Sequence, residues 1–229
     1  MPDHIHFILY VKEHITFHIG LIISQFKLKV TQGLIAADLL KSGEASFEDG
    51  YHDRILHRSG QLQTMYRYVA DNPRRLLIKR LRPNFLYLRN RIIIDGIELE
   101  MTGNSELLNH PCREVVKYDR AFSSTDDPEW LRRQARYDEC IREDGVLVSP
   151  FIHPQENRYR KMMLEHGGKI IHLLQDPLPD NQVPQGVYFE ACAQGRALLV
   201  TPVEYHGYKD MKYSRAKILN HLAAIIAAR

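Results

Sequence analysis

Cysteine is scarce: Cys112, Cys140 and Cys192 are the only three in 229 residues. An odd, scattered set of thiols excludes a disulfide-stapled scaffold and predicts reduced cysteines in a cytoplasmic compartment. Long apolar runs are missing too. A membrane helix needs about 18 consecutive apolar residues, and even Ile15 to Val30 is broken by His18, Ser24, Gln25, Lys27 and Lys29. The opening residues, MPDHIHFILY, place no basic segment ahead of an apolar one, so no secretory signal is expected. The sequence also lacks internal repeats, low-complexity tracts and a Gly-rich dinucleotide fingerprint. What is there, 44% hydrophobic and 26% charged residues, is the composition of a folded chain with room for one large domain or two small ones.

Charge and histidine are unevenly spread. Residues 1–90 carry 13 Lys and Arg against 8 Asp and Glu, so a formal charge of +3 conceals a basic first part and a slightly acidic remainder. Arg74, Arg75, Lys79, Arg80, Arg82 and Arg89 follow one another with no acid between them. Such a run is either a solvated helix face or a phosphate-binding stripe. Six of the twelve histidines, His4, His6, His14, His18, His52 and His57, lie in the first quarter.

Ile5, Phe7, Leu9 and Val11 alternate with His4, His6, Ile8 and Tyr10, which predicts a half-buried strand with both histidines on one face. Ile15, Ile19, Ile22, Ile23, Phe26 and Val30 predict a helix. Lys41 to Gly50 reads as a loop and Tyr51 to His57 as a short strand. Ser59 is expected to cap a helix ending at Asn72, because Pro73 disfavours helical geometry in the residue before it. On this helix Leu62, Met65, Tyr66 and Val69 form an apolar side, and Gln61, Thr64, Tyr68 and Asn72 form a polar stripe.

The remainder alternates. Ile92 to Ile94, Asp95-Gly96 and Ile97 to Met101 predict a hairpin with a tight turn. Helices are expected at about 130–143, 155–166 and 214–228, and strands at Val146–Ser149, Lys169–Leu174 and Ala197–Val200. This is the pattern of an α/β fold with a mostly parallel sheet. Ligands of such sheets bind beyond the strand ends, so Gly103, Asn104, Ser149, Pro150 and His153 are candidate pocket residues. The helix start at Pro154 adds an expected preference for an anion.

Two histidines on one strand face can present nitrogens to a single cation, and a phenol and an amide one helical turn apart can stand beside it. Taken together these residues resemble a known family. PDHIHFIL at Pro2 to Leu9 resembles the metal-binding strand of the HUH single-strand DNA transposases that use one catalytic tyrosine. GYHDRIL at Gly50 to Leu56 and YRYVADNP at Tyr66 to Pro73 resemble later blocks of their REP-associated subgroup. The resemblance implies that His4, His6 and Asn72 hold Mg²⁺ or Mn²⁺ and that Tyr68 attacks a DNA phosphodiester to give a covalent phosphotyrosine. Tyr66 is the nearby competitor, but it lies on the apolar side without such a partner at i+4. Lys27, Lys29, Arg74, Arg75, Lys79 and Arg80 are then expected to contact the backbone of single-stranded DNA.

The family also has sheet and helix elements ahead of its histidine strand. Residues 1–90 are therefore expected to form an HUH-type α+β domain truncated at its N-terminus, and by the same resemblance a homodimer. Residues 91–229 resemble, more weakly, the Rossmann-like domain of DNA-processing protein A, through TGNSELL at Thr102 to Leu108, VLVSPFIHPQENRYRKMMLEHGGKIIHLL at Val146 to Leu174 and GRALLVTP at Gly195 to Pro202. The leading functional expectation is metal-dependent cleavage and rejoining of single-stranded DNA, as in DNA transposition. The alternative is a non-catalytic protein that binds a nucleotide or DNA through the Rossmann-like half.

Overall fold

In the computed structural model, Asp95 and Gly96 both take positive φ, 51° and 74°, the left-handed pair that a two-residue hairpin turn requires. They join β1 (Asn90–Ile94) to β2 (Ile97–Gly103), paired antiparallel with Ile94 opposite Ile97. The structure describes residues 4–119, 121–122, 124–178, 183–204 and 212–229, without the side chains of 212–214. Pro2 and Asp3 of the histidine string lie outside the described residues.

The chain forms two units, residues 1–75 and 76–229. The division falls before the expected boundary at 90 because Ile78, and Leu86 of the short helix α3 (Pro83–Leu86), pack into the core of the second unit. That unit is built on a six-stranded sheet of order β1-β2-β6-β5-β4-β3, with β3 (Arg113–Val115), β4 (Val146–Ser149), β5 (Lys169–Leu173) and β6 (Ala197–Pro202) parallel to one another. Only β2 runs opposite to the other five strands, so the fold is α/β with a mostly parallel sheet, as the sequence predicts.

Successive parallel strands are adjacent in order, so right-handed crossovers deliver their helices to one face. There α4 (Pro128–Arg142), α5 (Pro154–Glu165) and α6 (Val187–Ala193) bury Trp130, Tyr137, Tyr159, Met163 and Phe189 against Leu147 and Ile170. The opposite face carries Val146, Val148, Ile171 and Leu173, the alternate residues that a pleated strand turns the other way. It is closed by Leu219, Leu222, Ala223 and Ile226 of α7 (Lys212–Ala228) and by Leu107 of a 3₁₀ turn at Ser105–Asn109. With both faces covered, β4 and β6 are buried along their whole length.

The first unit departs from the expected α+β domain. Its described residues form α1 (Ile19–Ala36) and the first part of α2 (Gln61–Leu81), but no strand. Residues 4–11 and 51–57, both expected as strands, carry no strand pairing. Ile5, Phe7, Leu9 and Val11 remain between 44% and 53% exposed. Alternation needs a neighbouring strand for its hydrogen bonds and a core for its apolar row, and among the described residues neither is supplied by another strand. Pro73 does not end its helix, because α2 runs through it. An interior proline costs about 3 kcal/mol, and Ile78, packed in the second core, lies on the part of the helix beyond it.

Candidate functional site

Although residues 4–11 do not form a strand, His4 and His6 meet. Their rings stand edge to face with centroids 4.7 Å apart, and His6 is in turn edge-on to Tyr68 with centroids 5.6 Å apart. Tyr68 presents its phenol from the exposed side of α2, 46% accessible. Tyr66 is also exposed, but the ring beside His6 is that of Tyr68. Asn72, one turn on, is the buried member of the stripe, 7% exposed, and its Nδ2 makes no hydrogen bond. Burial first, then the neighbouring His4, lowers the His6 pKa from its ordinary value, which favours the neutral imidazole.

The expected cationic surface is partly committed elsewhere. The Lys27 ammonium donates to the Glu48 carbonyl at 2.7 Å and to that of Gly50, and lies 5.8 Å from the centre of the Phe47 ring. It therefore ties the 41–50 loop to α1. Arg74 pairs with Asp71 through Nε–Oδ1 at 2.6 Å, an exposed i,i+3 contact of the kind worth about 0–1 kcal/mol. Lys29 is exposed on α1 and Arg75 half-buried on α2, while Lys79 and Arg80 occupy the last turn of α2, in the second unit.

In the second unit the five candidate pocket residues do not come together. β2 runs antiparallel to β6, so Gly103 pairs with Leu198 beside the start of β6, and Asn104 donates its N–H to Ala197 O at 3.0 Å. Ser149, Pro150 and His153 follow the end of β4, which β6 and β5 separate from β2. The parallel run β6-β5-β4-β3 never reverses its order, so it has no switch-point crevice.

The expected anion position at the start of α5 is filled by the chain itself. Pro154 has no N–H, the His153 side chain accepts from Gln155 N and Glu156 N, and Asn157 N donates to His153 O. Glu156 completes a capping box by accepting from His153 N at 3.1 Å, and also accepts from Tyr118 N at 2.9 Å. Its carboxyl pKa is raised by burial, against those hydrogen bonds. The His153 ring stacks on Tyr118 with centroids 4.2 Å apart. These groups bind their own loop, which fixes the left-handed Phe151, φ 48°.

Sequence reading missed a second histidine at this end. His172 of β5 contacts the Tyr188 hydroxyl through Nδ1 and Pro150 O through Nε2 at 3.3 Å, and Arg160 donates to the same hydroxyl at 2.8 Å. The network is satisfied when Tyr188 donates to Nδ1 and Nε2–H donates to the carbonyl, which requires a neutral imidazole. Burial, then the charge of Arg160, pulls its pKa down to about 4.

Below an ordinary value near 6.5 the unfolded chain takes up a proton that the folded chain refuses. The second unit is therefore expected to lose stability as pH falls from about 6.5 to about 4, on the order of 3 kcal/mol in all. Glu156 acts in the opposite direction, so the measurement is the difference between native chain and His172→Gln in urea titrations across that window. Trp130, the only tryptophan and fully buried, reports the unfolding. Parallel pH profiles would show that His172 does not titrate as argued.

No helix of the described residues is long and apolar enough to cross a membrane. Comparison of the chain with protein-family models, with curated proteins and with solved structures finds no match.

Proposed function

We propose that the first unit cleaves and rejoins single-stranded DNA through Tyr68, assisted by a divalent cation. The observation that carries this reading is the run of ring contacts from His4 to His6 to Tyr68, with Asn72, whose Nδ2 has no hydrogen-bond partner, one turn further along the helix. The residues fit a cation. With metal–nitrogen bonds of about 2.1 Å and a right angle at the metal, two ligating imidazoles have centroids roughly 4.5 Å apart. His4 and His6 stand at 4.7 Å. A half-turn of the Asn72 carboxamide exchanges Nδ2 for Oδ1, an oxygen that suits Mg²⁺ or Mn²⁺. Among the described residues no group of three His, Cys, Asp or Glu gathers as a metal site, so this set of two imidazoles and one amide is the candidate.

When bound, the ion would polarise the scissile phosphate and offset charge on its oxygens. The chain's own residues do the rest. The Tyr68 oxygen forms a bond to phosphorus as the bond to the 3′ oxygen breaks, and the phenolic proton passes through water to the departing 3′ oxygen. The products are a 5′-phosphotyrosine and a free 3′-hydroxyl, and attack by that hydroxyl reverses the step. One phosphodiester replaces another, so no external energy source is needed for rejoining. His4 and His6 orient the phosphate beside the phenol, and Lys29 and Arg75 attract the strand.

The test is incubation of the chain with labelled single-stranded oligonucleotides, hairpin-bearing ones included, and Mn²⁺, followed by a denaturing gel. A denaturation-resistant adduct that chelation prevents is the expected result. Its absence across the panel, with binding intact, would reduce the unit to a DNA-binding module. Affinity itself should fall steeply with salt. Lys29→Gln and Arg75→Gln should each flatten the log–log slope by about 1 if the residue touches a phosphate.

A further inference from the structure

We propose that Cys112 and Cys140 form a reversible intramolecular disulfide, driven by a peroxide that reaches Cys112. The thiols stand Sγ to Sγ at 3.1 Å. Cys112 lies just before β3 and Cys140 in the last turns of α4. Both are anchored to one turn: Gly145 N donates to Cys140 O at 2.8 Å and Val146 N to Cys112 O at 2.9 Å. Gly145 makes room for the sulfurs, since a Cβ there would stand 2.4 Å from the Cys140 sulfur and 2.7 Å from that of Cys112. A disulfide bond is about 2.05 Å long, so closure needs roughly 1 Å of sulfur movement, within the reach of side-chain torsions.

The two thiols have different environments. Cys112 is partly accessible, whereas Cys140 is 4% exposed. Burial, then its hydrogen bond with Cys112, pushes the Cys140 pKa up to about 12. Cys112 is therefore the thiol that meets the oxidant. Its thiolate gives an electron pair to one peroxide oxygen, the O–O bond breaks, and Cys112 becomes a sulfenic acid as hydroxide leaves. The Cys140 sulfur then attacks the Cys112 sulfur, the S–O bond breaks, and the Cys140 proton goes to the departing hydroxide. In sum two thiols and hydrogen peroxide give one disulfide and two waters. The bond would lock the edge strand β3 to α4, and a small thiol would reopen it.

The experiment treats the full chain, freshly reduced, with one equivalent of hydrogen peroxide, blocks remaining thiols with a maleimide, and maps the peptides by mass spectrometry. Expected are a Cys112–Cys140 crosslink lacking two hydrogens, its loss on adding dithiothreitol, and Cys192 recovered as a free thiol. The melting temperature followed by Trp130 should rise by roughly 5–10 °C. Cys140→Ser should instead accumulate a Cys112 sulfenic acid that dimedone traps. Recovery of both thiols as maleimide adducts, over-oxidation of Cys112 in the native chain, or a crosslink that includes Cys192 would each overturn the proposal.

Discussion

Tyr68→Phe is expected to abolish the covalent protein–DNA adduct while leaving affinity for single-stranded DNA unchanged within about twofold, since one oxygen is removed from a surface whose attraction is charge. Tyr66→Phe should keep the adduct. Both tyrosines are exposed and sit two residues apart, but the ring next to His6 is that of Tyr68. The pair of variants separates chemistry from the loss of a generic tyrosine. His6→Ala provides the complementary loss: it removes a nitrogen proposed to bind the cation and the contact with Tyr68, so adduct formation should collapse and be restored only in part by excess Mn²⁺. An adduct that survives in Tyr68→Phe would exclude this nucleophile. Equal losses in Tyr66→Phe and Tyr68→Phe would point to damage of α2 rather than to catalysis.

The second unit was legible in the sequence because its signals are local and mutually consistent. The Asp95-Gly96 turn needs two left-handed residues and has them. Pro154 and Gly167 bracket α5, and the apolar runs at 146–149 and 197–200 are buried strands. The shortest elements gave no such signal. β3 is three residues long and takes its place from β4, and α6 is a seven-residue helix whose composition does not alternate.

In the first unit the same reasoning over-reached. The period of two at residues 4–11 describes which side chains share a face, but a strand exists only where another strand accepts its hydrogen bonds. His4, His6 and Tyr68 nonetheless meet, through ring contacts rather than through a ladder. Asn72, a member of the polar stripe, is buried because it also lies three residues from Val69 and so shares the more buried side of α2. Gly103 and Ser149 are held apart by strand order, since β6 and β5 lie between β2 and β4.

Gly103 proves to be a packing residue, and its replacement by alanine is expected to cost about 4 kcal/mol or more. Two penalties add. The backbone has φ +112°, a conformation that side-chain-bearing residues adopt at a cost of about 1–3 kcal/mol. A Cβ would also stand 2.2 Å from Ala197 O and 3.1 Å from Leu198 Cα. Those are backbone atoms of β6, and Ala197 O is the acceptor for Asn104 N. Relief would mean parting β2 from β6 at the point where Asn104 also donates to Gly195 O at 2.9 Å and caps the following 3₁₀ turn.

Gly96→Ala is the control. Its φ of +74° carries a comparable conformational penalty, but nothing lies within 4 Å of the added methyl, so a loss of only about 1–2 kcal/mol is expected. Urea titrations followed by Trp130 fluorescence compare the two directly, since that side chain is fully buried in the same unit. A midpoint for Gly103→Ala well below that of Gly96→Ala assigns the difference to the close approach of β2 and β6. Equal midpoints would mean that the strands separate without cost, and the structural account of Gly103 would fail.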